Sequence, residues 1–324
     1  MDSMNNNATR SQRSKGVYRL SLVTAWATLP LLFIGGLVTG TGAGLAVPDW
    51  PTTFGTNMFL YPWSKMVGGI FYEHSHRLFA AGVGFLTLML AFLLWIRDSR
   101  QWVRWLGVVA LTLVVLQGVI GGLRVVLLEQ TLAIVHGALA QAFFALMVSL
   151  VLFTSREWSE RPQRIHVPQA HRLRRLCLLT TGLIYLQGIV GAVLRYTGAF
   201  LEVHLLLAFL VVVHVVLLTV RILRSQSDQP MLVRPATLLS GLLLLQLALG
   251  LGSYLGRFAA LGLALPSVAV VSITTSHVVT GALMLVTSLV LVLRSYRLLE
   301  VPGFLASEKI FPARRVVGSE RVTS

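Results

Sequence analysis

Along the chain, polar and apolar stretches alternate so that eight long apolar runs stand out, at about 18–41, 71–96, 103–123, 131–154, 173–194, 201–223, 235–256 and 270–294. Each is close to the roughly 20 residues that a helix needs to cross the hydrocarbon of a bilayer. The runs are continuous Leu/Val/Ala, not ten-residue segments of alternating polarity. They therefore predict helices and exclude the strands of a membrane barrel. Residues 1–17 are polar and basic and predict a disordered tail. The apolar run that follows is too long for the core of a cleaved leader, so it reads as a retained first span.

Composition agrees. The 324 residues are 55% hydrophobic and 12% charged, with a mean hydropathy of +0.77. A soluble chain carries about twice that charge. The fold class is an all-α polytopic membrane protein. The net charge of +15 suggests nucleic acid until its distribution is considered. All but five of the 27 basic residues (Lys65, Arg77, Arg124, Arg195 and Arg257) fall in the tails and in every second connection. That is an orientation signal: it places both termini in the cytoplasm and leaves no nucleic-acid role. The one cysteine, Cys177, permits neither an internal disulfide nor a paired-cysteine metal site, and reads as a small buried residue.

The chain also repeats itself. Gly-Gly-Leu-Val-Thr-Gly-Thr-Gly-Ala-Gly-Leu (35–45) at the end of the first run is echoed by Gln-Gly-Ile-Val-Gly-Ala-Val-Leu-Arg-Tyr-Thr-Gly-Ala-Phe-Leu (187–201) in the fifth, and Leu-Gln-Gly-Val-Ile-Gly-Gly-Leu-Arg (116–124) in the third by Leu-Gln-Leu-Ala-Leu-Gly-Leu-Gly-Ser-Tyr-Leu (245–255) in the seventh. Similarly, His136-Gly-Ala-Leu in the fourth run is echoed by His277 to Leu283 in the eighth. These pairings predict two four-helix bundles, 18–154 and 173–294, joined by a basic linker at 155–172 and followed by a tail at 295–324. A parallel duplication about an axis along the membrane normal gives this arrangement. The glycines in these motifs read as sites of close helix packing.

The chemistry-bearing residues lie at the ends of the runs. Glu73-His-Ser-His76-Arg77 heads the second run, a costly place for charge unless it serves a function. Glu73, His76 and Arg77 share a helix face, and His74 points away. The repeat maps His76 onto His204 and His136 onto His277. All four fall toward the same membrane face, one pair to each half. Facing imidazoles across a four-helix bundle form a bis-histidine heme site. His214 lies about 15 Å deeper than His204 and has no counterpart. His166 and His171 sit in the linker and read as solvated. Where Glu73 and Arg77 stand in the first half, the second has Leu201 and Leu205. Only the first half therefore has the acid that proton handling requires.

Taken together, Thr-Gly-Ala-Gly-Leu-Ala-Val-Pro-Asp-Trp-Pro (41–51), Glu73-x-x-His76-Arg77, His136, His204 and His277 resemble the heme A synthase family. The resemblance covers all eight runs. It implies oxidation of the C8 methyl group of heme O to a formyl group, by successive hydroxylations and loss of water, giving heme A for cytochrome oxidase. It implies that His204 and His277 ligate a heme b cofactor. It also implies that His76 and His136 flank the substrate heme O, with Glu73 as the essential carboxylate. Arg77 and Arg124 are candidates for pairing with heme propionates, because guanidinium binds carboxylate bidentately. Implied partners are the heme O synthase (the protoheme farnesyltransferase), cytochrome oxidase assembly factors, an electron acceptor and membrane lipid. The implied location is the plasma membrane of a bacterium.

One feature departs from the family. Many bacterial members carry a cysteine pair in the first loop outside the cytoplasm. Here Val47 occupies the corresponding position, and 43–70 contains no cysteine. A thiol relay is therefore absent from this loop. Its aromatic residues (Trp50, Phe54, Phe59, Tyr61 and Trp63) suit either a lid over the first-half site or a headgroup belt. The competing functions are a non-catalytic diheme b-type cytochrome, which would give Glu73 no role, and a transporter, which would need a polar path the runs lack.

Overall fold

In the computed structural model, residues 2–160, 164–167, 169–258 and 266–300 are described, with only the backbone for residues 2–14. Among them are eight helices long and apolar enough to cross a membrane: Lys15–Gly40 (span 1), Gly68–Arg97 (span 2), Gln101–Leu127 (span 3), Gln130–Thr154 (span 4), Ala170–Thr197 (span 5), Leu201–Ser225 (span 6), Pro230–Arg257 (span 7) and Ser267–Leu298 (span 8). The chain is a multi-pass, all-helical membrane protein. In lipid no water can satisfy backbone groups, so each span must close its own hydrogen bonds. Buried hydroxyls do the same by folding back one turn. Ser21 donates to the Val17 carbonyl at 2.9 Å and Thr87 to the Val83 carbonyl at 2.8 Å. Large apolar residues such as Phe85, Phe209 and Leu244 cover the outer faces, where lipid meets them.

Spans 1–4 contact one another in a closed ring, 1-2-3-4-1, and spans 5–8 form a second ring of the same order. Val83, Leu90, Phe143 and Met147 pack at the centre of the first ring. Val215, Leu218, Leu239 and Leu291 pack at the centre of the second. The rings meet where spans 1 and 4 lie against span 8 and span 4 lies against span 5, over Phe144, Ala282 and Val286.

Three expectations change. Residues 2–14 are not a disordered tail, because the helix of span 1 runs back to Asp2. Once a helix is nucleated, each further residue adds a bond at little cost, and the Met, Ala, Arg and Gln of this segment tolerate it. The spans also overrun the apolar runs by a few residues, since a helix need not stop where the hydrocarbon does. The linker, finally, is fastened to the end of span 8. Ile165–His166 pairs in parallel with Leu299–Glu300, so His166 belongs to a strand. Arg294 bonds Glu157 at 2.8 Å, while Arg174 caps the carbonyls of Ser295, Tyr296 and Leu299. Cys177 is buried as expected. Most of the 295–324 tail lies outside the described residues.

Candidate functional site

The four histidines are seated in the same way. Each imidazole lies against a glycine of the span before its own. A Cβ built on Gly35 would stand 3.0 Å from the Cε1 of His76, on Gly121 3.2 Å from that of His136, on Gly191 3.0 Å from that of His204, and on Gly250 3.0 Å from that of His277. A Cβ at any of these positions would crowd the ring by a few tenths of an ångström, so glycine suits a ring set this close to a neighbouring backbone. These glycines seat rings, so the packing role read from sequence is incomplete.

In the second ring of spans, His204 and His277 face each other with ring centres 6.4 Å apart. Two imidazoles bound to one iron through bonds of roughly 2 Å would stand about 6 Å apart between ring centres, so His204 and His277 could hold a heme iron between them. His277 Nδ1 lies 3.2 Å from the Gln246 carbonyl, a partner that favours the Nδ1–H tautomer and leaves Nε2 as the nitrogen able to bind a metal. The Nδ1 of His204 is buried without a partner. A ligand set of two histidines fits a heme, whose porphyrin supplies the other four nitrogens. No group of three or more metal-ligating side chains is found among the described residues.

In the first ring, His76, His136 and Arg124 lie within electrostatic range of one another, and Nδ1 of both histidines is buried and unpartnered. What sequence did not foresee is how firmly the first loop is latched beside them. Glu73, 4% exposed, accepts the Val47 amide at 2.9 Å and the Arg77 guanidinium at 2.7 Å. Arg77 spends its two amino groups on Glu73 and on the carbonyls of Val47, Asp49 and Thr52. Arg77 thus holds the loop instead of standing free for a propionate. Arg124 donates one bond, to the Gly44 carbonyl at 2.9 Å, and retains other donors.

The loop is also organised from within. Thr52 and the amides of Phe54 and Gly55 donate to the Asp49 carboxylate. Burial opposes ionisation of Asp49, but these donors outweigh it and hold the carboxyl below its usual range. His74 is 1% exposed, bonds Thr53 at 3.1 Å and packs on Tyr61. It anchors the loop. Trp50 lies over Gly122 of span 3, where any Cβ would collide with the indole. Gly122→Val should therefore lift this end of the loop. The expected readout is faster proteolytic cleavage within 47–57 while the eight spans remain intact. An unchanged cleavage rate would contradict the latch.

His214 bonds the Leu210 carbonyl of its own helix and lies apart from these sites. Sequence reasoning missed three glutamines. Gln117 donates to the carbonyl of His136 at 3.2 Å, Gln187 to that of His204 at 3.1 Å, and the Gln246 amide stands 3.4 Å from His277 Nε2. Each lies four residues before a seating glycine, a spacing visible in the Leu-Gln motifs but read there only as repetition.

Residues 18–203 match the family model described as cytochrome oxidase assembly protein (COX15-CtaA). The heme A synthase of Shouchella clausii is 32% identical over 192 residues, 58% of this chain and 60% of that protein. The heme A synthase of Bacillus pumilus is 28% identical over 185 residues, 55% of this chain and 58% of that protein. The alignments thus span about 60% of these relatives' length, and the family match stops one residue short of His204. It includes the latched loop, Glu73, His76, Arg77 and His136, while the seats of His204 and His277 stand on geometry alone. With most of its first five spans matched, and with those residues where the motif puts them, the chain belongs to the heme A synthase family of cytochrome oxidase assembly proteins.

Proposed function

We propose that the protein oxidises the C8 methyl group of heme O to the formyl group of heme A, with the two rings of spans dividing the work. The observation that carries this reading is the pair of imidazoles on spans 6 and 8, 6.4 Å apart on glycine seats, beside a second pair that alone has a buried acid. His204 and His277 hold heme b, which supplies one-electron iron chemistry. His76 and His136 flank the substrate. Arg124 takes a propionate, and Arg77 would reach one only by releasing loop carbonyls. Glu73, three residues before His76, is the carboxylate that takes up a proton or steadies the positive charge that develops as the methyl carbon is oxidised. The loop latched by Arg77 and Trp50 covers this site and limits water.

The arginine-rich ends of the spans face the cytoplasm, so both heme sites lie toward the outer face of a bacterial plasma membrane. The two rings descend from one duplicated four-helix unit. The heme O synthase delivers the substrate, the product goes to cytochrome oxidase assembly, and electrons pass to an acceptor without a loop thiol pair. A non-catalytic diheme cytochrome would leave the Glu73–Arg77 pair, replaced in the second half by Leu201 and Leu205, without a purpose. Purified from membranes, the protein should carry protoheme with a six-coordinate low-spin absorbance spectrum. Isolation of folded protein that never retains protoheme would overturn the reading.

A further inference from the structure

We propose that the cleft between spans 5 and 6 at their arginine-rich ends binds an anionic phospholipid. The cleft measures about 780 Å³, within the ordinary range for ligand sites. Leu173, Leu176 and Leu179 of span 5 and Leu217 and Val220 of span 6 form apolar walls suited to an acyl chain. Arg172, Arg175, Arg221 and Arg224 lie around it, and among the described residues no carboxylate lines it. Of the acids at this end of the spans, Glu157 pairs with Arg294 and Glu160 with Arg156, while Asp228 accepts from Gln229 and does not line the cleft. A second, smaller cleft, at Arg234 and Arg294, differs in that Arg294 is already neutralised by Glu157. Four guanidiniums without an ion pair among the described residues, above apolar walls, call for a negative headgroup on a hydrocarbon chain. Free phosphate would leave the walls unused.

The test is native mass spectrometry of the purified holoprotein titrated with phosphatidylglycerol or phosphatidylcholine. Each guanidinium near an anionic headgroup contributes favourably, so a preference of about tenfold or more for phosphatidylglycerol is expected. The preference should disappear in the variant with Arg172, Arg175, Arg221 and Arg224 all replaced by glutamine and persist in the corresponding lysine variant. Equal binding of the two lipids by the wild type overturns the proposal even if the glutamine variant fails to fold. So does a preference that survives in the folded glutamine variant, or full displacement of the lipid by inorganic phosphate.

A different observation carries a second inference, which rests on the proposed heme sites. We infer that Gln117, Gln187 and Gln246 are positioning residues for His136, His204 and His277. The side-chain oxygen of each is buried without a partner, a cost that a merely structural glutamine would not carry three times. Each amide lies one helical turn from the glycine that seats its histidine, so ring and amide share one face of the span. Gln187 donates to the His204 carbonyl at 3.1 Å, which fixes the backbone that carries the ring. In span 1 the equivalent position, four residues before Gly35, is Leu31. His76 is thus the one imidazole without such a clamp, as suits the site that must admit and release a substrate. Gln187→Leu and Gln246→Leu should keep the bound heme but shift its midpoint potential and low-spin electron paramagnetic resonance signal. Unchanged potential and signal would overturn this inference alone. Heme retained in both His204→Ala and His277→Ala would instead overturn the site reading beneath it.

Discussion

Glu73→Ala is expected to lower heme A formation by about 100-fold or more, the scale of a positioned acid–base group, while the resident heme b absorbance remains. The separation of readouts matters because Glu73 has two attachments. It bonds the Val47 amide and the Arg77 guanidinium in a nearly dry setting. Removing one partner of a buried ion pair costs about 3–5 kcal/mol, because the remaining charge is left uncompensated. Some of that cost will appear as a loosened first loop. Glu73→Gln separates the two roles. The amide keeps one acceptor, so part of the latch survives, but it cannot take up a proton. If the loop in Glu73→Gln resists protease as the wild type does and heme A still accumulates, Glu73 is a latch residue and the catalytic role fails.

His204→Ala and His277→Ala should each strip the resident heme, weakening its retention by well over the 10–100-fold that loss of a supporting residue costs. The two rings face each other across 6.4 Å, and each stands against a glycine, which offers no side chain to replace a lost ligand. His214→Ala is the control, since that ring is satisfied by its own helix. Visible spectra of the purified variants decide the matter. A low-spin heme spectrum surviving in both alanine variants would remove these residues from the cofactor site.

The sequence displayed the spans and the four histidines because both are local signals: twenty apolar residues in a row, and a charged or imidazole group where the bilayer penalises it. The Glu73–His76–Arg77 face was legible for the same reason, through helical spacing. What Arg77 does was not. Its partners lie 25 to 30 residues away in a loop whose path no periodicity encodes. His74 was set aside because it points away from His76, and that direction is what brings it to Thr53 and Tyr61. The seating glycines were visible as motifs, but a glycine that packs two backbones and one that admits a ring look alike until the facing residue is known. The pairing of the linker with the end of span 8 joins segments more than 130 residues apart, and its two-residue strands carry no pattern. The helix at residues 2–14 is inherited from span 1, so a polar composition misread it.

The most direct test of the central claim is extraction and chromatography of hemes from membranes that coexpress this chain with a heme O synthase. The account predicts heme A, or its hydroxylated precursor, alongside bound heme b, and only unconverted heme O when Glu73 is replaced by alanine. Heme b bound to the wild-type protein with heme O untouched, in membranes that supply an electron acceptor, would contradict it and leave a diheme electron carrier in its place.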